Sequence, residues 1–118
     1  MSYTYQKNNP MNNLFPSATA FPLETSIEYT PGGVVSKQIT KNTAGNVTLF
    51  SFDKGQGLSE HTAPFDAMVQ ILDGEAEIKI DGQPYVVKKG EFIIMPANHP
   101  HALHATEQFK MLLIMIKG

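Results

Sequence analysis

The sequence predicts an all-β fold, either a sandwich or a barrel, and three observations support this prediction. Turn-forming pairs and clusters of Gly, Pro, Asn and Asp recur at close, regular spacing from residue 31 onward. The stretches between these turns are short, extended runs that carry many β-branched and aromatic residues. No window of about eleven residues keeps a helical apolar period without meeting a glycine, a proline or a turn cluster. Short strands joined by tight turns are typical of β-sandwiches and β-barrels.

The chain is predicted to divide into an N-terminal arm, residues 1–24, and a barrel domain, residues 25–118. The arm is rich in Asn, Ser, Thr and Pro and has neither a helical nor a strand period. Two interpretations of it stay open: a partly disordered terminus, or an arm that packs over a neighbouring subunit through Phe15, Phe21 and Leu23. In the barrel domain the predicted strands are 26–30, 34–40, 46–53, 58–62, 67–72, 75–80, 84–88, 92–95, 101–106 and 109–116.

Residues 75–88 predict a β-hairpin. Ala76, Ile78 and Ile80 alternate with charged residues, so one face of the first strand is expected to be buried and the other to meet solvent. The pair Asp81–Gly82 supplies the two residues that a primed hairpin turn prefers.

Two other predicted strands, 67–72 and 109–116, are largely apolar on both faces. In an antiparallel barrel one face of a strand packs on the core, so an apolar outer face needs a further cover. The charged fraction of the chain is 17%, below the roughly 25% that is usual for globular domains. Both observations indicate that a second subunit covers the outer strands, and we expect a homodimer.

Composition limits the remaining classes of function. A chain of 118 residues accommodates one ordinary domain. Its basic residues are 9 lysines with no arginine, against 11 acidic residues, which argues against nucleic acid or an anionic membrane as a partner. Cysteine is absent, so disulfides, thiolate catalysis and Cys-bound zinc are excluded. The N-terminus lacks the apolar stretch of a signal peptide and no apolar run is long enough to span a membrane, so we expect a cytoplasmic protein.

Histidines are the candidate chemistry-bearing residues, because imidazole titrates near neutral pH and readily binds transition metals. His61 lies in one cluster of motif residues, and His99, His101 and His104 lie in a second. Each cluster adjoins a predicted strand and a turn that contains glycine or proline. His104 has the opposite parity to His101 along an extended strand and is therefore expected to face outward.

Around these histidines, two stretches carry glycine, proline and histidine residues at characteristic spacings. The anchor residues are Gly55, His61, Gly74, Gly90, Pro96 and His101. Stretches 55–74 and 90–105 thereby resemble the first and second motifs of the cupin family. The resemblance extends over roughly residues 26–117 and implies a small single-domain cupin with a double-stranded β-helix, or jelly-roll, barrel. This implied fold agrees with the strand pattern.

The resemblance also indicates where a metal site would lie and how this chain departs from it. Metal-binding cupins use two histidines and a glutamate of the first motif with one histidine of the second. Carried over to this sequence, these ligands become His61, Ala63, Ala67 and His101, so alanine replaces two of the four. Asn98 stands where the family has glycine, and asparagine is among the few residues that tolerate a left-handed turn.

Three interpretations of the site follow. In the first, the metal is lost and the barrel holds an apolar pocket for a small molecule, with two imidazoles as polar anchors. In the second, a divalent transition metal such as Zn, Fe, Mn or Ni is held by His61, His101 and either His99 or water, in a small oxygenase or isomerase. In the third, the histidines are structural and bind no ligand. The pocket of the first interpretation is predicted to be lined by His61, Ala63, Ala67, Val69, His101 and Leu103.

Other side chains are weaker candidates. Glu60 and Asp66 flank the first motif, and the loop between them could turn Asp66 inward. Tyr85, Phe50 or Phe52 could form an aromatic wall, although core packing is the simpler expectation for each. A protein interaction module that uses the apolar outer face is a further alternative. No catalytic residue is assigned and the ligand is not identified, because one fold supports many chemistries.

Overall fold

Eight antiparallel β-strands organise the residues that the computed structural model describes, 15–117, and the all-β prediction is confirmed. The strands form two curled sheets that share one long strand and together make the jelly-roll barrel. Within the described residues there is no helix long and apolar enough to cross a membrane. The part of the predicted arm before residue 15 lies outside the described residues. The strands are β1 (Val34–Asn42), β2 (Gly45–Phe52), β3 (Gly57–His61), β4 (Ala67–Ile80), β5 (Gln83–Lys88), β6 (Phe92–Met95), β7 (His101–His104) and β8 (Phe109–Ile116). The first sheet contains β1, β2, β6, β8 and the first part of β4, and the second contains β3, β5, β7 and the second part of β4.

The long strand β4 replaces the predicted strands 67–72 and 75–80, so the turn that their separation implied at Asp73–Gly74 is wrong. Pairing with β8 continues through this point, with a shift of register after Ile71. Gly74 has a φ of 70°, and a side chain on it would collide with the backbone carbonyl of Gln108. The register shift leaves Leu72 as the extra residue of a β-bulge, and beyond it β4 leaves the sheet containing β6 and β8 and enters the sheet containing β5 and β7.

The predicted strand 26–30 is also wrong, because these residues form an irregular segment across the outer face of the first sheet. Ile27 is fully buried in this segment although it belongs to no strand. The Ser51 hydroxyl of β2 donates a hydrogen bond of 2.8 Å to the carbonyl oxygen of Glu28. The Lys37 ammonium of β1 donates one of 2.9 Å to the carbonyl oxygen of Ser26. Hydrogen bonds from side chains of the sheet therefore hold this segment, and not backbone pairing with a strand.

The same segment reaches β8 and β4, so part of the outer cover comes from this chain itself. The Lys110 ammonium of β8 donates a hydrogen bond of 2.6 Å to the carbonyl oxygen of Glu24. The Tyr29 hydroxyl donates to the carboxylate of Asp73, and burial together with this bond raises the pKa of Tyr29 well above its ordinary value. A second subunit is therefore not needed at the Lys110 end of β8.

The hairpin prediction is confirmed by β4 and β5. Asp81 and Gly82 have φ angles of 54° and 78°, the two positive values that a type I′ turn requires. Ala76 and Ile78 are buried, whereas the charged residues that alternate with them are more exposed. This second half of β4 lines the barrel core beside β7, and so it positions the strand that carries the histidine motif.

Candidate functional site

The pairing of β3 with β7 brings His61 and His101 together. The two residues are direct cross-strand partners, at the end of β3 and the start of β7. Their Nε2 atoms lie 3.2 Å apart, and their rings meet edge to face with centroids separated by 4.4 Å. His101 is buried while His61 is exposed, so the pair spans the boundary between the barrel interior and solvent.

Backbone carbonyls orient both imidazoles. The Nδ1 atom of His61 lies 2.7 Å from the carbonyl oxygen of Ser59, and that of His101 lies 3.3 Å from the carbonyl oxygen of His99. A carbonyl oxygen only accepts hydrogen bonds, so each Nδ1 carries a proton and each Nε2 of a neutral ring presents a lone pair. Two Nε2 atoms without protons therefore lie 3.2 Å apart.

With both rings neutral, the pair lacks a proton for a hydrogen bond between the two Nε2 atoms. The pair has three contacts: Nε2 to Nε2, and each Nδ1 to its carbonyl oxygen. Hydrogen bonds at all three would need three protons, one more than two neutral imidazoles carry. Burial lowers the pKa of His101, the nearby His61 lowers it further, and the bond to the His99 carbonyl only opposes this effect. Because the buried His101 resists an extra proton, its Nε2 is suited to accept a hydrogen bond from a ligand or to bind a cation.

A cavity of about 230 Å³ adjoins the pair inside the barrel. Apart from the two imidazoles its lining is apolar. Of the six residues predicted to line a pocket, five line this cavity, and Val69 is instead fully buried in the core cluster. The lining residues are Leu58, His61, Ala63, Ala67, Met95, His101, Leu103, Met111, Leu113 and Met115.

Five of the lining residues were not predicted from the sequence, and three of them lie on β8. Met111, Leu113 and Met115 share one parity and so one face of that strand. This signal was available, but β8 is apolar on both faces and the sequence does not indicate which face points inward. Register supplies the answer, since Met115 and Met95 are the cross-strand neighbours of Ala67 on its two sides.

His99 does not join the pair. Its Nδ1 lies 2.8 Å from the carboxylate of Asp81, at the tip of the β4–β5 hairpin. In the turn before it, Asn98 is in the left-handed region with a φ of 66°, and its backbone N–H donates a hydrogen bond to the carbonyl oxygen of Ala63. This geometry directs His99 toward the hairpin tip. In the part of the chain that the structure describes, no three His, Asp or Glu side chains are grouped so that they could hold a metal ion.

The weaker candidates also lie away from the cavity. Glu60 is exposed, and the carboxylate of Asp66 accepts a hydrogen bond of 2.9 Å from the backbone N–H of Ala97, which ties the β3–β4 loop to the β6–β7 turn. The side chain of His104 is exposed, as its parity predicts. Of the aromatic candidates, Phe50 and Phe52 pack in the core and Tyr85 is 46% exposed on β5; none of the three lines the cavity.

Comparison with known proteins gives consistent matches. Residues 48–117 match the family model described as the cupin domain. A conserved protein of unknown function from Streptococcus pyogenes is 40% identical over 90% of this chain and 93% of its own, with a TM-score of 0.85. A cupin superfamily protein from Desulfitobacterium hafniense is 31% identical over 86% of this chain and 94% of its own, with a TM-score of 0.82. A cupin 2 conserved barrel domain protein from Leptotrichia buccalis is 49% identical over 77% of this chain and 44% of its own, with a TM-score of 0.75. No curated protein sequence matches this chain significantly.

Proposed function

The chain belongs to the cupin family, and we propose that it binds a compact, mostly apolar small molecule through one hydrogen-bond donor on that molecule. The observation that carries this proposal is that two Nε2 atoms lie 3.2 Å apart beside an apolar cavity, while each Nδ1 faces a backbone carbonyl. Small-molecule sites are typically apolar with a few convergent polar groups. Here the convergent groups are acceptors, so a hydroxyl or N–H group is the complementary feature of the ligand.

The size of the cavity limits the ligand. Its volume of about 230 Å³ corresponds to seven to eight water molecules at the ~30 Å³ that each occupies in the liquid. Drug-sized ligands occupy pockets of roughly 300–1,000 Å³. The cavity therefore suits a molecule of the size of phenol or cyclohexanol, with its ring against the methionine and leucine side chains and its hydroxyl at the imidazoles.

Phenol and toluene, which differ only in the donor, test this proposal. We expect phenol to bind about tenfold more tightly than toluene, the ratio that a hydrogen bond of ~1.4 kcal/mol supports. Competition experiments by NMR or calorimetry with tag-free protein measure this ratio. His61→Ala should abolish the preference for phenol, whereas His104→Ala, which removes an exposed imidazole on the other face of β7, should preserve it. Equal affinities for the two compounds, or no saturable binding of either, would contradict the proposal.

The alternative of a metal-dependent cupin enzyme is less well supported. It needs a third protein ligand or water beside His61 and His101, and His99 is engaged with Asp81. Stoichiometric Fe, Zn, Mn or Ni in protein purified without an affinity tag, lost in His61→Ala, would favour this alternative. A cytoplasmic location and the lack of nucleic-acid partners stay predictions, to be tested by cell fractionation and binding assays.

We further propose that a second copy of the chain covers the outer face of the first sheet beyond the segment at residues 24–30. Phe92 and Ile94 of β6 are 50% and 52% exposed there. The registers place Ile94 opposite Met68 and Met68 opposite Ile114, so an apolar row crosses β6, β4 and β8. An uncovered apolar row of this kind is typical of a protein interface.

If this face forms a homodimer, a substitution on it should lower the sedimentation mass of the protein. The unmodified protein is expected to sediment at micromolar concentration with twice the mass of one chain, and Ile94→Lys is expected to reduce it to one chain. Val86→Lys is the matched control, because Val86 is similarly exposed but lies on β5, in the other sheet. A monomeric mass for the unmodified protein would remove this proposal.

A further inference from the structure

Sulfur is the second type of donor in the cavity. Of the 6 methionines in the chain, Met95, Met111 and Met115 line the cavity that the imidazoles of His61 and His101 adjoin. Thioether sulfur is a soft ligand that selects Cu(I) among the biological metals, and imidazole also suits copper. The donors that face this cavity are therefore imidazole nitrogen and thioether sulfur.

The register explains how the thioethers reach the interior. Met95 of β6 and Met115 of β8 are the cross-strand neighbours of Ala67 on its two sides, and all three face inward. Cross-strand neighbours have Cβ atoms roughly 5 Å apart. Because Ala67 carries only a methyl group, it leaves free the space between the two longer side chains.

The divalent metal that the cupin fold implies does not fit this set of donors. The family's carboxylate position is Ala67 and one of its histidine positions is Ala63. Within the described part of the chain, no carboxylate lines the cavity. A divalent ion there would find only neutral ligands and no carboxylate to balance its second charge, which disfavours it relative to a monovalent ion. A monovalent soft ion brings one charge and finds softer donors.

The geometry of the imidazole pair suits a single metal ion. At metal–nitrogen distances of about 2.0–2.1 Å, a separation of 3.2 Å between the Nε2 atoms corresponds to an angle of about 100° at the ion, close to tetrahedral. Each Nδ1 is held by a backbone carbonyl, the arrangement that commonly orients histidine ligands of metals. Both rings are thus oriented as ligands before any ion arrives.

We propose that His61 and His101, together with the thioether of Met95 or Met115, form a Cu(I) site at the rim of the cavity. The site uses the same Nε2 lone pairs as the small-molecule proposal, so Cu(I) and phenol exclude each other. The copper proposal does not rest on phenol binding, and each is tested without the other ligand. The remaining coordination positions of the ion would face the cavity and the exposed side of His61.

Titration of tag-free protein with Cu(I), without oxygen and against the chelator bathocuproine disulfonate, tests the site. We expect one Cu(I) per chain, with sulfur as well as nitrogen scatterers in the X-ray absorption spectrum. His61→Ala should weaken binding by more than the ~10–100-fold typical of losing a hydrogen-bond partner of a metal ligand. Zn(II), titrated alone, should bind far more weakly than Cu(I).

Methionine variants test the thioether. The double variant Met95→Leu, Met115→Leu keeps the volume of the side chains, so the barrel should fold while the sulfur scatterers and most of the affinity are lost. Met68→Leu is the matched control, because Met68 lies on the outer face of β4 and should leave copper binding unchanged. Copper bound through nitrogen alone, equal losses in the two methionine variants, or no binding above that of His61→Ala would each overturn the proposal.

Discussion

The double variant Ala63→His, Ala67→Glu is expected to bind Ni(II) on the order of 1,000-fold more tightly than the unmodified protein, a gain of about 4 kcal/mol. Both alanines line the cavity beside the imidazole pair, and His61 and His101 already lie close enough to share an ion. The variant adds a third imidazole and, more importantly, the negative charge that a divalent ion needs in an apolar surrounding. Calorimetric titration of tag-free protein with Ni(II) measures the gain.

A control for this variant separates charge from shape. Ala63→His with Ala67→Gln introduces a side chain of nearly the same volume without the charge, so it should recover only a small part of the gain. Circular dichroism establishes that each variant is folded. If the folded glutamate variant bound Ni(II) as weakly as the unmodified protein, the two alanines would not be the reason why the divalent site is incomplete.

The largest effect on stability is expected for Phe109→Ala, at about 3–5 kcal/mol of the free energy of unfolding. Phe109 is fully buried at the start of β8, and its ring stacks on that of Phe52 with centroids 4.5 Å apart. The substitution removes this stacking and leaves a cavity that two sheets surround, where the backbone relaxes little.

Urea denaturation followed by circular dichroism measures this loss. Phe21→Ala is the matched control, because Phe21 is 38% exposed in the segment before β1 and its loss should cost less than about 1 kcal/mol. Similar losses in the two variants would mean that the barrel core at Phe109 is much less rigid than its burial indicates.

The sequence contains two Asp–Gly pairs, and their different outcomes illustrate what local signals can predict. Asp81–Gly82 forms a hairpin turn as predicted, because the two strands that it joins are adjacent in sequence and pair with each other. Asp73–Gly74 has the same composition but stays paired with β8 inside β4, next to the bulge at Leu72. The partner that decides this is Phe109, which pairs with Gly74 from a distant part of the chain. No local pattern contains that pairing.

The candidate site divides in a similar way. His61 and His101 could be singled out from the spacing of the two motifs, and the parity that they share with neighbouring inward residues is a local property of strands. The direction of His99 could not be predicted, because it depends on the left-handed turn at Asn98 and on Asp81 at the hairpin tip. The same holds for Met95 and Met115, which lie on strands that are far from each other in sequence.

The sequence by itself determined the all-β fold, the hairpin and the family, since turn chemistry, strand alternation and motif spacing are all local or linear properties. Only the tertiary structure decided which face of β8 points inward, that residues 24–30 cover part of the outer face of the first sheet, and that the Nε2 atoms of His61 and His101 lie close together beside a cavity lined by three methionines. These features arise from pairings between distant strands and from side-chain directions that those pairings impose. For this reason the chemistry of the cavity became apparent only from the folded barrel.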